Sequence, residues 1–258
     1  MTATPSPIRI FEPDGRAVPY VDEGEGPSIV LVPGSRLNIT YLGTLAHVLE
    51  EEGFRVTRIG FRGASRDGVT LHDLAQDVVD VMDHLGLGDA WVGGHSFGGA
   101  VARTVALDHD ERIFGLLLLG VDGAQPATAE AARALDTLHA GADESAILAG
   151  MGELAGDGDA AVTWSILRQA LDADVAALQQ AALAATPESE WAVLEPTIPV
   201  LVIQGSDDRV TVPANGEALR AAAPALVSVS TLDGGGHFFP VTHPGETGVL
   251  IEDFLGWD

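Results

Sequence analysis

Short apolar runs alternate with helix-like stretches along most of the chain, and this rhythm predicts the fold. The runs occupy residues 28–32, 55–59, 90–94, 115–119, 199–203 and 226–230. Most of them are separated by segments with helical periodicity, such as 70–86 and 97–109. Such alternation is typical of a mainly parallel β-sheet flanked by helices. Two β-rich stretches, 8–11 and 17–22, lie on either side of the turn sequence EPDG and predict an opening hairpin.

The rhythm breaks once, between the run that ends at residue 119 and the run that begins at 199. The stretch between them is rich in Ala, Leu and Asp, has helical periodicity and lacks a strand signal. We predict a helical cap over the C-terminal edge of the sheet, with ordinary surface helices as the alternative. The predicted fold class is α/β, with core residues 1–122, a cap insertion at 123–196 and core residues 197–258.

Composition excludes several kinds of chemistry. The 258 residues suit one large domain and include no Cys, which removes disulfides, thiolate nucleophiles and sulfur-ligated metals. All thirteen basic residues are Arg, which excludes Schiff-base lysines and a P-loop lysine. The formal charge of -25 disfavours nucleic acid and anionic membranes as partners. Because no signal-like segment or membrane-length apolar run is present, we expect a cytoplasmic protein.

Reactive side chains follow several of the apolar runs, at the edge where a parallel sheet binds its ligands. Ser96 comes just after the run at 90–94, in GHSFGG, with Gly94 two residues before it and Gly98 two residues after it. Small neighbours suit a serine on a sharp strand-to-helix turn, where bulky ones would clash. Asp208 follows the run at 199–203 in QGSDDRVTVP, and His237 follows the last run in LDGGGHFFP. The order along the chain is therefore serine, acid, histidine.

Taken together, these motifs resemble those of the α/β-hydrolase fold superfamily, and the resemblance extends from the hairpin to the closing segment GETGVLIEDFLGW. Within the superfamily the chain is most similar to cap-bearing serine esterases and cofactor-free haloperoxidases. The resemblance implies Ser96 as nucleophile, His237 as its base and Asp208 as the acid that orients the histidine. Asp207 would then be a turn residue. Asp122, in GVDGA after the run at 115–119, is the alternative acid.

The same resemblance implies an oxyanion hole formed by the backbone N–H groups of Phe97 and Ser35. Relatives usually have His-Gly where this chain has Pro33 and Gly34, and this departure leaves the support of that loop open. A second departure is Gly60, since relatives usually have an Asp ahead of the turn that follows.

Two further groups of side chains are candidate substrate contacts. The first is a set of cations that could hold a substrate carboxylate, unless they are simply solvated at the surface. The second is a set of large apolar side chains that could line an acyl pocket, although core packing explains them equally well. The cations are Arg36, Arg62 and Arg66, and the apolar side chains are Trp164, Trp191, Met151, Phe238 and Phe239.

These features predict a serine hydrolase that cleaves a small or medium, neutral carboxylic ester or lactone through an acyl-enzyme. No metal or organic cofactor is expected, because the eight His residues are scattered and form no H-E-x-x-H motif. An acyl-CoA is disfavoured by 38 acidic residues against 13 arginines. Carbon–carbon bond hydrolysis, perhydrolysis and lyase chemistry use the same triad and stay open, as does a ligand-binding receptor that reuses the fold.

Overall fold

An eight-stranded, mainly parallel sheet forms the centre of the structure, as the rhythm of apolar runs predicts. The computed structural model describes residues 6–63, 68–194 and 198–256. The strands are β1 (Arg9–Phe11), β2 (Val18–Glu23), β3 (Ser28–Val32), β4 (Arg55–Ile59), β5 (Ala90–His95), β6 (Ile113–Leu119), β7 (Val200–Gly205) and β8 (Val227–Leu232). They lie in the order β1-β2-β4-β3-β5-β6-β7-β8. β2 is antiparallel to both of its neighbours, and the remaining pairs are parallel.

Helices cover both faces of this sheet. Those in the described residues are α1 (Gly43–Glu51), α2 (Leu71–His84), α3 (Phe97–Asp108), α4 (Ala129–His139), α5 (Glu144–Ala155), α6 (Ala160–Ala170), α7 (Ala173–Ala185), α8 (Glu188–Trp191), α9 (Pro213–Ala222), α10 (Phe239–Thr242) and α11 (Pro244–Leu255). The predicted fold class is confirmed.

The buried strands are apolar on both faces because each face packs against its own layer of helices. In β3, Val30 and Val32 point into one apolar cluster, which includes residues of α2 and α3. Ile29 and Leu31 point the opposite way into a second cluster, with residues of α1 and α11. Continuous apolar runs, and not alternating ones, were therefore the correct strand signal.

The break in the rhythm corresponds, within the described residues 120–194, to five consecutive helices, α4 to α8, that lie between β6 and β7. One of them, α7, packs Val175, Leu178 and Ala182 into the same apolar cluster as α2 and α3. Its C-terminal end is also joined to the start of α2, where the Leu71 N–H donates to Thr186 Oγ1 over 2.9 Å. This helix of the insertion is therefore attached to the sheet layers. No helix within the described ranges is long and apolar enough to cross a membrane.

Candidate active site

Ser96 occupies a sharp turn between β5 and α3. Its backbone has φ 51° and ψ -117°, a region that residues other than glycine rarely adopt. The flanking glycines are required by close backbone approach. A Cβ on Gly94 would lie 2.1 Å from the Gly98 carbonyl carbon, and a Cβ on Gly98 would lie 2.2 Å from the Val32 oxygen. The spacing of glycines around Ser96 is therefore a steric requirement of the turn.

Gly98→Ala is expected to destabilise the protein by about 2 kcal/mol or more, because the new methyl group meets rigid backbone. Gly99→Ala is the matched control, since its Cβ would have its nearest neighbour at 3.5 Å, an ordinary contact. Alanine within α3 should leave stability unchanged or raise it. Urea denaturation of both variants measures the difference, and equal midpoints would contradict the steric explanation.

His237 and Asp208 form a buried, hydrogen-bonded pair. His237 Nδ1 lies 3.1 Å from Asp208 Oδ2, and both side chains are almost fully shielded from solvent. Thr211 Oγ1 donates to Asp208 Oδ2 over 2.6 Å, and the backbone N–H groups of Val210 and Thr211 donate to Asp208 Oδ1. Burial by itself would raise the pKa of Asp208, but His237 and these donors outweigh it and lower that pKa. The carboxylate is thus held ionised against the imidazole.

Neither of the other acidic candidates pairs with the histidine in the described part of the chain. Asp207 is exposed, and its N–H donates to the Gly235 oxygen in a turn. Asp122 lines the same cavity as His237. Desolvation raises the pKa of Asp122; the nearby charge of His237 opposes this rise, and that of Asp208 adds to it. Of the three acids, Asp208 is the one that hydrogen-bonds His237.

Ser96 and His237 share a cavity of about 200 Å³. Within the described residues, the His237 side chain hydrogen-bonds Asp208 and Thr211 but not Ser96. Contacts of this kind are often long in unliganded enzymes and tighten when substrate binds. The other residues that line the cavity are Ser35, Leu37, His95, Asp122, Leu135, His139, Val210 and Phe238.

The loop after β3 carries a backbone donor beside this cavity. The Gly34 N–H donates to Tyr41 Oη over 2.8 Å, and the Arg36 N–H donates to Gln179 Oε1 over 2.7 Å. The Ser35 N–H between them has no protein acceptor among the described contacts. Phe97 is the first residue of α3, where a backbone N–H has no partner within the helix. Two free donors, from Ser35 and Phe97, therefore belong to the segments that surround Ser96.

A buried chain of hydrogen bonds connects that loop to His95 and to the backbone of His237. Tyr41 Oη lies 2.9 Å from His95 Nδ1, and His95 Nε2 lies 2.8 Å from the His237 carbonyl oxygen. Because a carbonyl can only accept, His95 must carry its proton on Nε2, and Tyr41 donates to Nδ1. Burial, with the charge of His237, lowers the pKa of His95 to about 3, and burial raises the pKa of Tyr41. Both groups are therefore neutral near pH 7, and they join the loop at Gly34 to the backbone of His237.

Acid is expected to destabilise the fold through His95. The pKa of His95 is about 3 in the folded protein and near 6.5 in the unfolded chain. Between these pH values only the unfolded chain binds the proton, so a fall in pH favours unfolding. The contribution of His95 to the free energy of unfolding is complete above pH 7 and is reduced by about 2–3 kcal/mol at pH 4.5. Urea midpoints of wild type and His95→Gln at pH 7.5 and 4.5 test this, since glutamine has no such titration. An equal loss in both proteins would show that other groups carry the acid sensitivity.

The apolar candidates divide into residues at the site and residues of the core. Phe238 lines the main cavity, and Trp191 lines a narrow recess that also contains Ser96. Met151 is fully buried in the apolar cluster on the α1 face, and Phe239 joins it there. Trp164 donates through Nε1 to Glu144 on the neighbouring helix. Met151 and Trp164 do not line the main cavity, because Met151 is buried within that cluster and Trp164 packs against it.

Of the candidate arginines, the two within the described residues, Arg36 and Arg62, do not line the main cavity. Arg36 lines a separate cavity of about 340 Å³, and His139 lines both that cavity and the main one. Arg62 is buried against Asp77, to which it donates, and also donates to the Asp73 oxygen. Arg66 lies outside the described residues. Within those residues, no group of three or more His, Asp and Glu side chains is arranged to hold a metal ion.

Both departures from the usual motifs have local explanations. Support for the Pro33–Gly34 loop comes from Tyr41 and Gln179, which sequence reasoning did not identify. A Cβ at Gly60 would lie 2.8 Å from Pro19 Cγ and 3.1 Å from Ile39 Cγ2. These two side chains therefore occupy the space that an aspartate at position 60 would need.

The sequence profile of the alpha/beta hydrolase family matches residues 29–247, so the chain belongs to this family, and the predicted resemblance is confirmed. Among solved structures, the chain is similar to a malate-bound thermophilic esterase from Thermogutta terrifontis. The TM-score is 0.75 at 26% identity, over 96% of this chain and 97% of that one. It is also similar to Est816, an N-acyl homoserine lactone degrading enzyme, with a TM-score of 0.72 at 25% identity, over 96% of this chain and 100% of that one.

One similarity to a curated protein adds a further hydrolase. The chain is 32% identical over 113 residues to zearalenone hydrolase from Bionectria ochroleuca. This match covers 40% of the chain and 43% of that enzyme, so it spans less than half of either protein. The comparisons thus connect the fold to hydrolases that include an esterase and a lactone-degrading enzyme.

Proposed function

We propose that the protein is a serine hydrolase that cleaves small or medium carboxylic esters or lactones through an acyl-enzyme. The observation that carries this proposal is the joint placement of Ser96 and His237 on one cavity, with Asp208 hydrogen-bonded to the far nitrogen of the imidazole. That arrangement leaves His237 Nε2 as the nitrogen available to the serine.

In the proposed reaction, Ser96 Oγ attacks the substrate carbonyl carbon while His237 Nε2 accepts the hydroxyl proton. Asp208 stabilises the resulting imidazolium through Nδ1–H. The N–H groups of Phe97 and Ser35 donate to the oxyanion as it forms. The leaving alcohol then takes the proton from Nε2, and the acyl group stays on Ser96. A water molecule deprotonated by His237 then attacks the acyl carbon, and the bond to Ser96 Oγ breaks. His237 returns the proton to Ser96 Oγ, and the acid is released.

The substrate class is inferred from the size, lining and charge of the site. The main cavity, of about 200 Å³, is lined by Leu37, Leu135, Val210 and Phe238 as well as by polar groups. This suits an acyl or lactone moiety of modest size without several negative charges. The 38 acidic residues would repel a polyanion such as an acyl-CoA. Similarity to an esterase and to a lactone-degrading enzyme supports both substrate types.

The test is a panel of p-nitrophenyl esters with graded acyl chains, run beside a panel of lactones and an acyl-CoA. We expect kcat/KM to peak at short or medium acyl chains, with the CoA thioester a poorer substrate than a neutral ester of the same acyl group. A fluorophosphonate probe should label Ser96 in the folded protein. Failure to label Ser96, together with ligand binding without turnover, would favour a receptor that reuses the fold.

A further inference from the structure

We propose that Gln179, on α7 of the inserted segment, is a positioning residue of the oxyanion hole. It would act by fixing the orientation of the peptide group that carries the Ser35 N–H. This inference rests on the proposed function, because it assigns a role to a residue within the same site. Gln179 does not line the main cavity, so it acts through the loop and not on the substrate.

The side-chain amide of Gln179 holds the loop on both sides of Ser35. Its Oε1 accepts the Arg36 N–H over 2.7 Å, and its Nε2 donates to the Gly34 carbonyl oxygen over 3.2 Å. Only 4% of Gln179 is exposed, so water does not compete for these bonds. Both hydrogen-bonding ends of the amide are therefore used on the two residues that flank Ser35, Gly34 and Arg36.

The bond to Gly34 determines where the Ser35 N–H points. The Gly34 carbonyl and the Ser35 N–H belong to one planar trans peptide group, in which the C=O and N–H bonds point in opposite directions. Holding the oxygen towards Gln179 therefore directs the N–H away from α7. A hydrogen bond to the carbonyl also polarises the peptide and strengthens the N–H as a donor. Rotation of this peptide would instead present an oxygen to a developing oxyanion.

The loop needs such a restraint because its own backbone is permissive or strained. Position 34 is a glycine, and a Cβ there would lie 2.9 Å from His95 Nδ1, so a stiffer residue does not fit. Arg36 has φ 59°, which is unfavourable for a side-chain-bearing residue. Tyr41 holds the Gly34 N–H, but it makes no contact with the peptide between Gly34 and Ser35. The Gly34 oxygen accepts two hydrogen bonds, one from the Leu37 N–H over 3.4 Å within the loop and one from Gln179 Nε2 over 3.2 Å. Gln179 is the side chain that holds this peptide from outside the loop.

Backbone hydrogen bonds also join the loop to the inserted segment, next to the contacts of Gln179. The Asn38 N–H donates to the Ala170 oxygen, and the Asp172 N–H donates to the Arg36 oxygen, each over 2.8 Å. Since α7 is itself packed with α2 and α3, the loop is held by a part of the insertion that is fixed to the core. The inserted segment would thus contribute to transition-state stabilisation as well as to enclosing the substrate.

The test compares three variants with wild type on one p-nitrophenyl ester. Gln179→Met keeps the side-chain length and removes both hydrogen bonds, and Gln179→Glu keeps an acceptor for Arg36 but loses the donor to Gly34. Gln180→Met is the matched control, because Gln180 is exposed on the same helix. We expect kcat to fall about 10- to 100-fold for both Gln179 variants, with KM within about threefold of wild type. The control should behave as wild type.

The inhibition constant of a boronic acid distinguishes a positioning role of Gln179 from a merely structural one, which would leave that constant unchanged. Its adduct with Ser96 resembles the tetrahedral intermediate, so its Ki should rise in parallel with the loss of kcat/KM. Inhibition by the product acid should be unchanged. If Gln179→Met folds and keeps kcat and boronate affinity within about twofold of wild type, the proposal is overturned; if that variant is unfolded, Gln179→Glu decides by the same criterion. A wild type that neither turns over esters nor reacts with fluorophosphonate would overturn the proposed function along with this one.

Discussion

Ser96→Ala is expected to lower kcat on a p-nitrophenyl ester by about 10⁴- to 10⁶-fold while leaving the fold intact. The substitution removes only Oγ, and alanine keeps the Cβ that this turn already accommodates. His237→Ala should cause a loss of similar size, because it removes the imidazole that Asp208 orients in the cavity shared with Ser96. The double variant should be little worse than either single one, since groups that act as a unit are not additive.

Steady-state kinetics of the three variants, with urea midpoints as a control for folding, measures this prediction. Residual turnover arises from the oxyanion donors and from binding, which the substitutions leave in place. Turnover by purified Ser96→Ala within about a hundredfold of wild type would exclude Ser96 as the nucleophile. Additive losses in the double variant would separate the roles of Ser96 and His237.

Asp208→Asn is expected to lower kcat by roughly 10⁴-fold, the second-largest effect. An asparagine amide would present N–H groups to His237 Nδ1, which would then have to accept a hydrogen bond. The proton would move to Nε2, and the imidazole could no longer take the proton of Ser96. Thr211 and the N–H groups of Val210 and Thr211 would still hold the side chain, so the fold should survive.

Two matched variants make this test specific. Asp207→Asn changes an exposed neighbour and should leave kcat within about twofold of wild type. Asp122→Asn changes a carboxyl group in the same cavity without touching the bond to His237, so it should alter KM more than kcat. If Asp122→Asn is the damaging change and Asp208→Asn is mild, the acid follows β6 and the assignment of Asp208 is wrong.

Features encoded by consecutive residues were predictable from the sequence. The run 28–32 coincides with β3, because a strand buried on both faces is almost continuously apolar. The run 55–59 coincides with β4 although it also contains Arg55, Thr57 and Arg58. Ser96, Asp208 and His237 could be selected because the carboxyl ends of parallel strands converge at one edge of the sheet. The adjacent acids Asp207 and Asp208 differ in burial and partner, and sequence could separate them only through the family pattern.

Features that depend on distant contacts were not predictable in the same way. Gln179 meets the loop 143 residues before it, and Tyr41 meets His95 across 54 residues. One signal for Gln179 was present, since it lies on the apolar stripe of α7 with Val175, Leu178 and Ala182, where a polar residue needs a partner. Met151 and Trp164 resemble pocket residues in the sequence because large apolar side chains look alike there whether they pack in a core or face a cavity.

At Ser96, the proposed nucleophile, the backbone conformation lowers folding stability. At φ 51° and ψ -117°, a glycine would avoid the steric cost that any side chain incurs there, so Ser96→Gly should unfold at a higher temperature than wild type, by an amount that reflects about 1 kcal/mol. That variant would lack the proposed nucleophile. A selection that reads only resistance to heat or proteolysis would therefore enrich an inactive protein at this position, and a library intended to stabilise the enzyme has to hold residue 96 constant.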